Sequence, residues 1–209
     1  MITIGLTGGI AAGKSTIAQR WQDSGGDETA VIDSDELARQ TLMTDTPTWH
    51  EVVREFGEGI LKPDRTVDRG KLGDVVFADE QKRATLNSIV HPAVRQMWSR
   101  RVKQLAAAGV TRQAVVVVPL LFEVGAESEF ACVVCTACSD STQLNRLMQR
   151  GLAESQARAR ILAQWPMTLK VERADFVIWN DGTLAVMHRQ SDIVWNTIKE
   201  TYHHATTQR

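Results

Sequence analysis

Cysteine is scarce, charge is balanced and long apolar runs are missing. The three cysteines, Cys132, Cys135 and Cys138, are an odd number with no export signal ahead of them, which argues against a disulfide framework. Lysine and arginine number 24 against 25 acidic residues, for a net charge of −1. No global basic field is therefore available to hold long nucleic acid or an anionic membrane. The longest apolar run, Ala114 to Phe122, is too short to span a bilayer. The apolar N-terminus carries neither a leading basic segment nor a clear cleavage site, so a cytoplasmic protein is expected. Repeats and low-complexity tracts are also lacking. What remains is 209 residues with 43% hydrophobic and 23% charged side chains, enough for one domain with its own core.

The C-x-x-C-x-x-C spacing resembles a metal or cluster motif. However, Cys132 to Thr136 reads as a buried strand, which sends Cys132 and Cys135 to opposite faces. No fourth cysteine completes a four-thiolate site. The three are expected to pack as small apolar residues. The six tryptophans are scattered and read mainly as packing, and His203-His204 as tail residues.

Short apolar runs alternate with helical stretches. Strands are expected at Ile2–Thr7, Ala30–Asp33, Ala114–Leu121, Cys132–Thr136 and Phe176–Trp179. Runs apolar on both faces suit a parallel sheet covered by helices on both sides, an α/β doubly wound fold. Two stretches are too long for simple crossovers. Ser34 to Arg112 is read as a helical insert, with a helix over Pro92–Ala108 that begins at Pro92. Ser141 to Val171 is read as two helices broken near Pro166. The expected organisation is a core of 1–33, 113–140 and 172–209, an insert 34–112 and a lid 141–171, with the active cleft between insert and lid.

The strongest motif is Gly8-Gly9-Ile10-Ala11-Ala12-Gly13-Lys14-Ser15, which matches G-x-x-x-x-G-K-[ST] and lies between an apolar strand and a helical stretch. Its backbone N–H groups are expected to converge on phosphate at a helix N-terminus. Lys14 would reach the β- and γ-phosphates, and the Ser15 hydroxyl would bind Mg²⁺. The next strand ends in Asp33, at the edge where ligands bind in open α/β sheets. A carboxylate there could orient or deprotonate an acceptor hydroxyl. Of the two neighbouring acids, Asp35 reads as the cap of the following helix and Asp33 as the functional one. The third strand runs into Pro119 where a switch or motor protein would place an Asp for its metal, which counts against those classes.

These residues, taken in order, resemble the dephospho-CoA kinase family. The resemblance runs from Ile4 to about Val194. It is carried by Gly5 to Ile10, Ile32-Asp33-Ser34-Asp35, Phe56-Gly57 with Ile60-Leu61, Asp68-Arg69 and Leu86 to Pro92. It continues through Val118 to Glu123, Gln143-x-x-Arg146-x-x-x-Arg150, Ala163-Gln164, and Ala174 to Ile178 with Asn180-Asp181-Gly182.

The resemblance implies a five-stranded core of the nucleotide-kinase type, with a helical substrate-binding insert and a helical lid. It also implies transfer of the γ-phosphoryl group of ATP to the ribose 3′-hydroxyl of the small molecule dephospho-CoA; Mg²⁺ is the expected metal, and a monomer or weak homo-oligomer is expected. Carried over to this chain, the ATP contacts are Gly8, Gly9, Ala11, Ala12, Gly13, Lys14, Ser15, Thr16, Arg150 and Asn180. The acceptor contacts are Asp33, Arg69, His91 and Leu120, and the transfer residues are Asp33, Lys14 and Arg146. Gln143, Arg146 and Arg150 share one helix face, from which the arginines could neutralise charge in the transition state. Asp68 and Arg69 are read as pairing with each other or with neighbours. The chain departs from the family pattern at Ala11-Ala12, where Gly-Ser is usual, and at Ala131 and Gly151, where acids are frequent.

Overall fold

A computed structural model describes residues 1–206, with side chains through Tyr202. The element order is β1 (Ile2–Gly8), α1 (Lys14–Gly25), β2 (Thr29–Asp33), α2 (Ser34–Thr41), α3 (Pro47–Phe56), α4 (Arg69–Ala78) and α5 (Glu80–Ala108). It continues with β3 (Gln113–Val117), β4 (Cys132–Ala137), α6 (Asp140–Gln149), α7 (Glu154–Leu162), α8 (Met167–Arg173), β5 (Phe176–Trp179) and α9 (Leu184–Thr206). The chain forms two compact units, one of residues 1–32 and 104 onward, the other of residues 33–103. No described helix is long and apolar enough to cross a membrane.

The first unit is built on a parallel sheet of order β2-β3-β1-β4-β5. In the centre, Ile4 pairs with Val115 of β3 and with Cys132 of β4. Every residue of β3 and β4 is buried, as strands covered on both faces must be. Successive strands are added to one side of β1 and then to the other. β1 is thus the switch point of the sheet, and the loop after it emerges where such folds bind ligands.

One face of the sheet packs Ile4, Leu6, Val115, Val117, Cys132, Val134 and Ile178 against Ile17 and Trp21 of α1 and Met187, Trp195 and Ile198 of α9. Trp21 and Trp195 stack there at 5.0 Å. Cys132 belongs to this cluster, and Cys135, of opposite parity, lies outside it. All three thiols are free and buried, and burial pushes them up to about 12, 11 and 11 for Cys132, Cys135 and Cys138. Trp165 and Trp179 depart from the packing role and are exposed. The backbone of α9 runs through His203 and His204, which the sequence suggested as tail, and their side chains lie outside those described.

Three expectations about element bounds are corrected. β3 stops at Val117 instead of running to Leu121. Val118 still donates to the Leu6 carbonyl at 2.9 Å, but Pro119 has no N–H for the ladder and Leu120 to Gly125 fold back into tight turns. Helix α5 does not begin at Pro92 but contains it. The true start signal is Asp79, whose carboxylate accepts the amides of Gln81 and Lys82 at 2.9 and 3.1 Å. An interior proline costs about 3 kcal/mol, which burial of Val90, Val94 and Trp98 along α5 offsets. The stretch 141–171 holds three helices, not two. Beside the break at Pro166 there is one at Gly151, whose φ of 89° ends α6 in the way glycine commonly ends helices.

The second unit is helical. Thr46 caps α3 by accepting the amide of Trp49 at 3.1 Å, and the Trp49 indole in turn donates to the Arg65 carbonyl at 3.1 Å.

The packing of α1 against α9 makes Trp21 the test of the core. Trp21→Ala should cost about 3–5 kcal/mol in urea unfolding, whereas Leu162→Ala, at a residue 82% exposed, should change stability by less than about 0.5 kcal/mol.

Candidate active site

The loop from Gly8 to Ser15 joins β1 to α1, with Gly13 as the N-cap of α1 at φ 104°. A β-carbon at Gly13 would sit 2.5 Å from Asn180 Nδ2, so both conformation and space require glycine there. The loop has a definite polarity. The Lys14 ammonium donates to the carbonyls of Gly8 and Gly9, both at 2.9 Å. Gln143 Nε2 donates to the Ile10 carbonyl at 2.8 Å, Arg146 Nη1 to that of Ala11 at 3.1 Å, and Asn180 Nδ2 to that of Ala12 at 2.8 Å. The Gly13 carbonyl takes the amides of Thr16 and Ile17 that begin α1. Each carbonyl of the loop thus has a donor, while among the described residues the amides of Ala11, Gly13 and Ser15 meet no acceptor. Unpaired amides at the positive end of a helix form an anion site. Ser15 and Thr16 are exposed in the first turn of α1.

Helix α6 is fixed to this loop from both ends of the turn after β5. Asp181 accepts from the amide and the hydroxyl of Ser139, the N-cap of α6, at 2.9 and 3.0 Å. Arg146, in the last turn of α6, donates to the Asn180 carbonyl at 2.9 Å and to its side-chain oxygen at 3.3 Å. Lys14, Arg146 and Asn180 are therefore brought together. Asn180, expected among the ATP contacts, is buried, with its side chain engaged by Ala12 and Arg146. Arg150 caps the C-terminal end of α6 with its side chain exposed, and the loop bonds described above do not include it. Leu120 lies in the turns that follow β3.

In the second unit, Asp33 ends β2 and is itself the cap of α2. Its Oδ1 accepts the amide of Asp35 at 2.8 Å. The sequence had favoured Asp35 as the cap. The helix begins two residues earlier than that assignment needs, so Asp35 falls in the first turn and its amide is the donor. Asp68 does not turn to Arg69 but caps α4, accepting the amides of Gly70 and Lys71 at 3.0 and 3.2 Å. Arg69 is the exposed first residue of that helix, and its charge helps to hold the Glu36 carboxyl below its usual range, after the hydrogen bond from Arg39. His91 lies inside α5, and burial lowers its pKa, which favours the neutral imidazole.

Two features escaped sequence reasoning. Gln164 accepts the amide of Ile10 at 2.8 Å, and the fully buried Lys170 forms an ion pair with the partly buried Glu123 at 2.7 Å. Gln164 and Glu123 lie in motifs visible in the sequence, but the partners are far apart along the chain. No local spacing pairs them.

Ala11 adopts φ 60°, which costs an L-residue about 1–2 kcal/mol. Its methyl group packs on Leu147 and Ala157, a burial of about 0.8 kcal/mol, and alanine stiffens the unfolded chain by about 0.4–1 kcal/mol. These contributions nearly cancel. Ala11→Gly should therefore leave stability within about 1 kcal/mol of the parent in thermal unfolding.

Residues 2–186 match the family model described as dephospho-CoA kinase. The dephospho-CoA kinase of Geobacillus kaustophilus is 46% identical over 190 residues, covering 90% of this chain and 92% of its own. A crystal structure from Thermus thermophilus superposes with a TM-score of 0.77 at 31% identity, covering 94% of this chain and 97% of the other. The dephospho-CoA kinase of Campylobacter jejuni superposes with a TM-score of 0.68 at 27% identity, covering 96% and 98%. With the phosphate loop, the parallel sheet and a match over nearly the whole length in agreement, the chain belongs to the dephospho-CoA kinase family and is a phosphotransferase.

Proposed function

We propose that this protein transfers the γ-phosphoryl group of ATP to the ribose 3′-hydroxyl of dephospho-CoA, in the cytoplasm, with residues 34–112 receiving the acceptor and residues 141–171 closing over the donor. The observation that carries the reading is the polarity of the Gly8–Ser15 loop, in a chain whose family match spans residues 2–186.

Phosphoryl transfer through a loose transition state asks the protein for position and charge more than for covalent chemistry. The loop amides and the α1 terminus hold the donor phosphates, and Lys14 and Arg146 supply positive charge where negative charge shifts during transfer. The donor set also fits a magnesium ion, which prefers oxygen ligands and retains phosphate and water among them. Ser15, exposed beside the loop, would supply its hydroxyl, and the ion when bound neutralises phosphate charge. Asp33 orients the acceptor hydroxyl and takes its proton through Oδ2, since Oδ1 is committed to capping α2. Arg69 offers a guanidinium suited to the acceptor's diphosphate.

Incubation with ATP, Mg²⁺ and dephospho-CoA should yield an acceptor heavier by one phosphate in mass spectrometry. An unmodified acceptor with ATP still bound would overturn the acceptor assignment. Lys14→Ala should lower turnover roughly 100- to 1,000-fold with the fold intact by circular dichroism. Asp33→Asn is the cleaner probe of the second role, because asparagine caps a helix as well as aspartate and only the charge is lost. Turnover should fall roughly 100-fold or more, with ATP affinity by calorimetry unchanged. A drop in ATP affinity without a drop in turnover of the bound complex would make Asp33 a binding group and not the base.

A further inference from the structure

We infer that Glu123 and Lys170 are positioning residues for the phosphate loop and act on it through Gln164, an inference that rests on the loop binding ATP. The side chain of Lys170 in α8 has no exposed surface, and its ammonium lies 2.7 Å from Glu123 Oε1 and 3.0 Å from the Pro119 carbonyl. Burying a lysine is expensive, and an apolar side chain of similar volume often serves stability as well or better. The pair therefore calls for a reason other than stability, and its surroundings supply one.

The same Glu123 Oε1 accepts the amide of Trp165 at 2.9 Å. One oxygen thus grips both ends of the segment 165–170, with Pro166 between them as the N-cap of α8. The residue just before this grip is Gln164, whose Oε1 accepts the amide of Ile10 at 2.8 Å. From the other side Gln143 donates to the Ile10 carbonyl at 2.8 Å. The peptides flanking Ile10 are clamped by two glutamines, and the residue that follows is Ala11 at φ 60°. Met167, the first residue of α8, and Gln143 approach Gly9 so closely that a β-carbon there would collide with both. The circuit closes on β1, because the Pro119 carbonyl that receives Lys170 also receives the Thr7 hydroxyl at 3.3 Å.

Glu123 Oε2 is buried with no hydrogen-bond partner among the described residues. A buried acceptor left unsatisfied is a cost, borne here while Oε1 holds its two donors. In this arrangement Glu123 and Lys170 act through the backbone that they hold. They fix where Gln164 stands, and Gln164 fixes the orientation of Ile10 and hence of the amides beyond it.

The test is a double-mutant cycle read by calorimetric titration with Mg·ATP in the absence of acceptor, on the parent, Gln164→Leu, Glu123→Ala and the double variant. Each single change should weaken ATP binding about tenfold, and the double variant should bind no more weakly than either single one, because both act through one contact. Glu123→Gln, which keeps an oxygen for Trp165, should restore affinity to within about threefold even where its melting temperature falls. Additive losses would show that Glu123 does not act through Gln164 and overturn the inference. Unchanged affinity in Gln164→Leu, at a partly exposed residue whose substitution leaves folding intact, would overturn it even if Glu123→Ala does not fold. The cycle reads ATP alone, so a parent protein that fails to phosphorylate dephospho-CoA would count against the proposed reaction and leave this result standing.

Discussion

The constraint on which the rest depends is the polarity of the peptide bond in the loop from Gly8 to Ser15. A tight turn cannot direct its amides at an anion unless its carbonyls find donors elsewhere, because a buried carbonyl without a partner is costly. Here those donors are side chains: Lys14 within the loop, Gln143 and Arg146 from α6, and Asn180 from the end of β5. Much of the first unit serves this one requirement. β4 leads into α6, β5 carries Asn180 to the loop, and Asp181 ties the start of α6 to the same turn.

This arrangement gives several residues two duties. Arg146 is a cation beside the Gly8–Ser15 loop and also a strut for the Ala11 and Asn180 carbonyls. Asp33 is the end of a strand, the cap of a helix and the acid assigned to the acceptor. Combined roles suit a small enzyme, in which each polar group near the site must also be satisfied structurally. They also explain why Ala11 is tolerated at a positive φ. The loop is held by bonds from several elements, so the local cost at one residue is shared with a framework that does not relax.

Much of this was legible in the chain. The apolar runs of β1, β2, β4 and β5 and the G-x-x-x-x-G-K-S pattern are local signals, since burial on both faces and glycine at fixed offsets leave their mark within a few residues. The end of β3, the start of α5 and the break at Gly151 were misjudged where one residue had two readings. Proline can open a helix or sit inside it, and the choice at Pro92 depended on Asp79 upstream and on what the helix buries. The cap at Asp33 turned on the single residue at which the helix begins.

The sequence by itself determined the fold class, the phosphate loop and the family, because each rests on residue types at short, regular spacing. Tertiary structure alone decided which side chains satisfy the loop. Gln164 meets Ile10 across 154 residues and Lys170 meets Pro119 across 51. Such pairings follow from the order of strands in the sheet and the packing of helices upon it, and no local pattern encodes them. Arg146 and Arg150 share a helix face in sequence, yet the first reaches the loop and the second caps the helix end. A helix has a direction and a finite length, and the position of its N-terminus against Asp181 set how far each side chain stands from the loop.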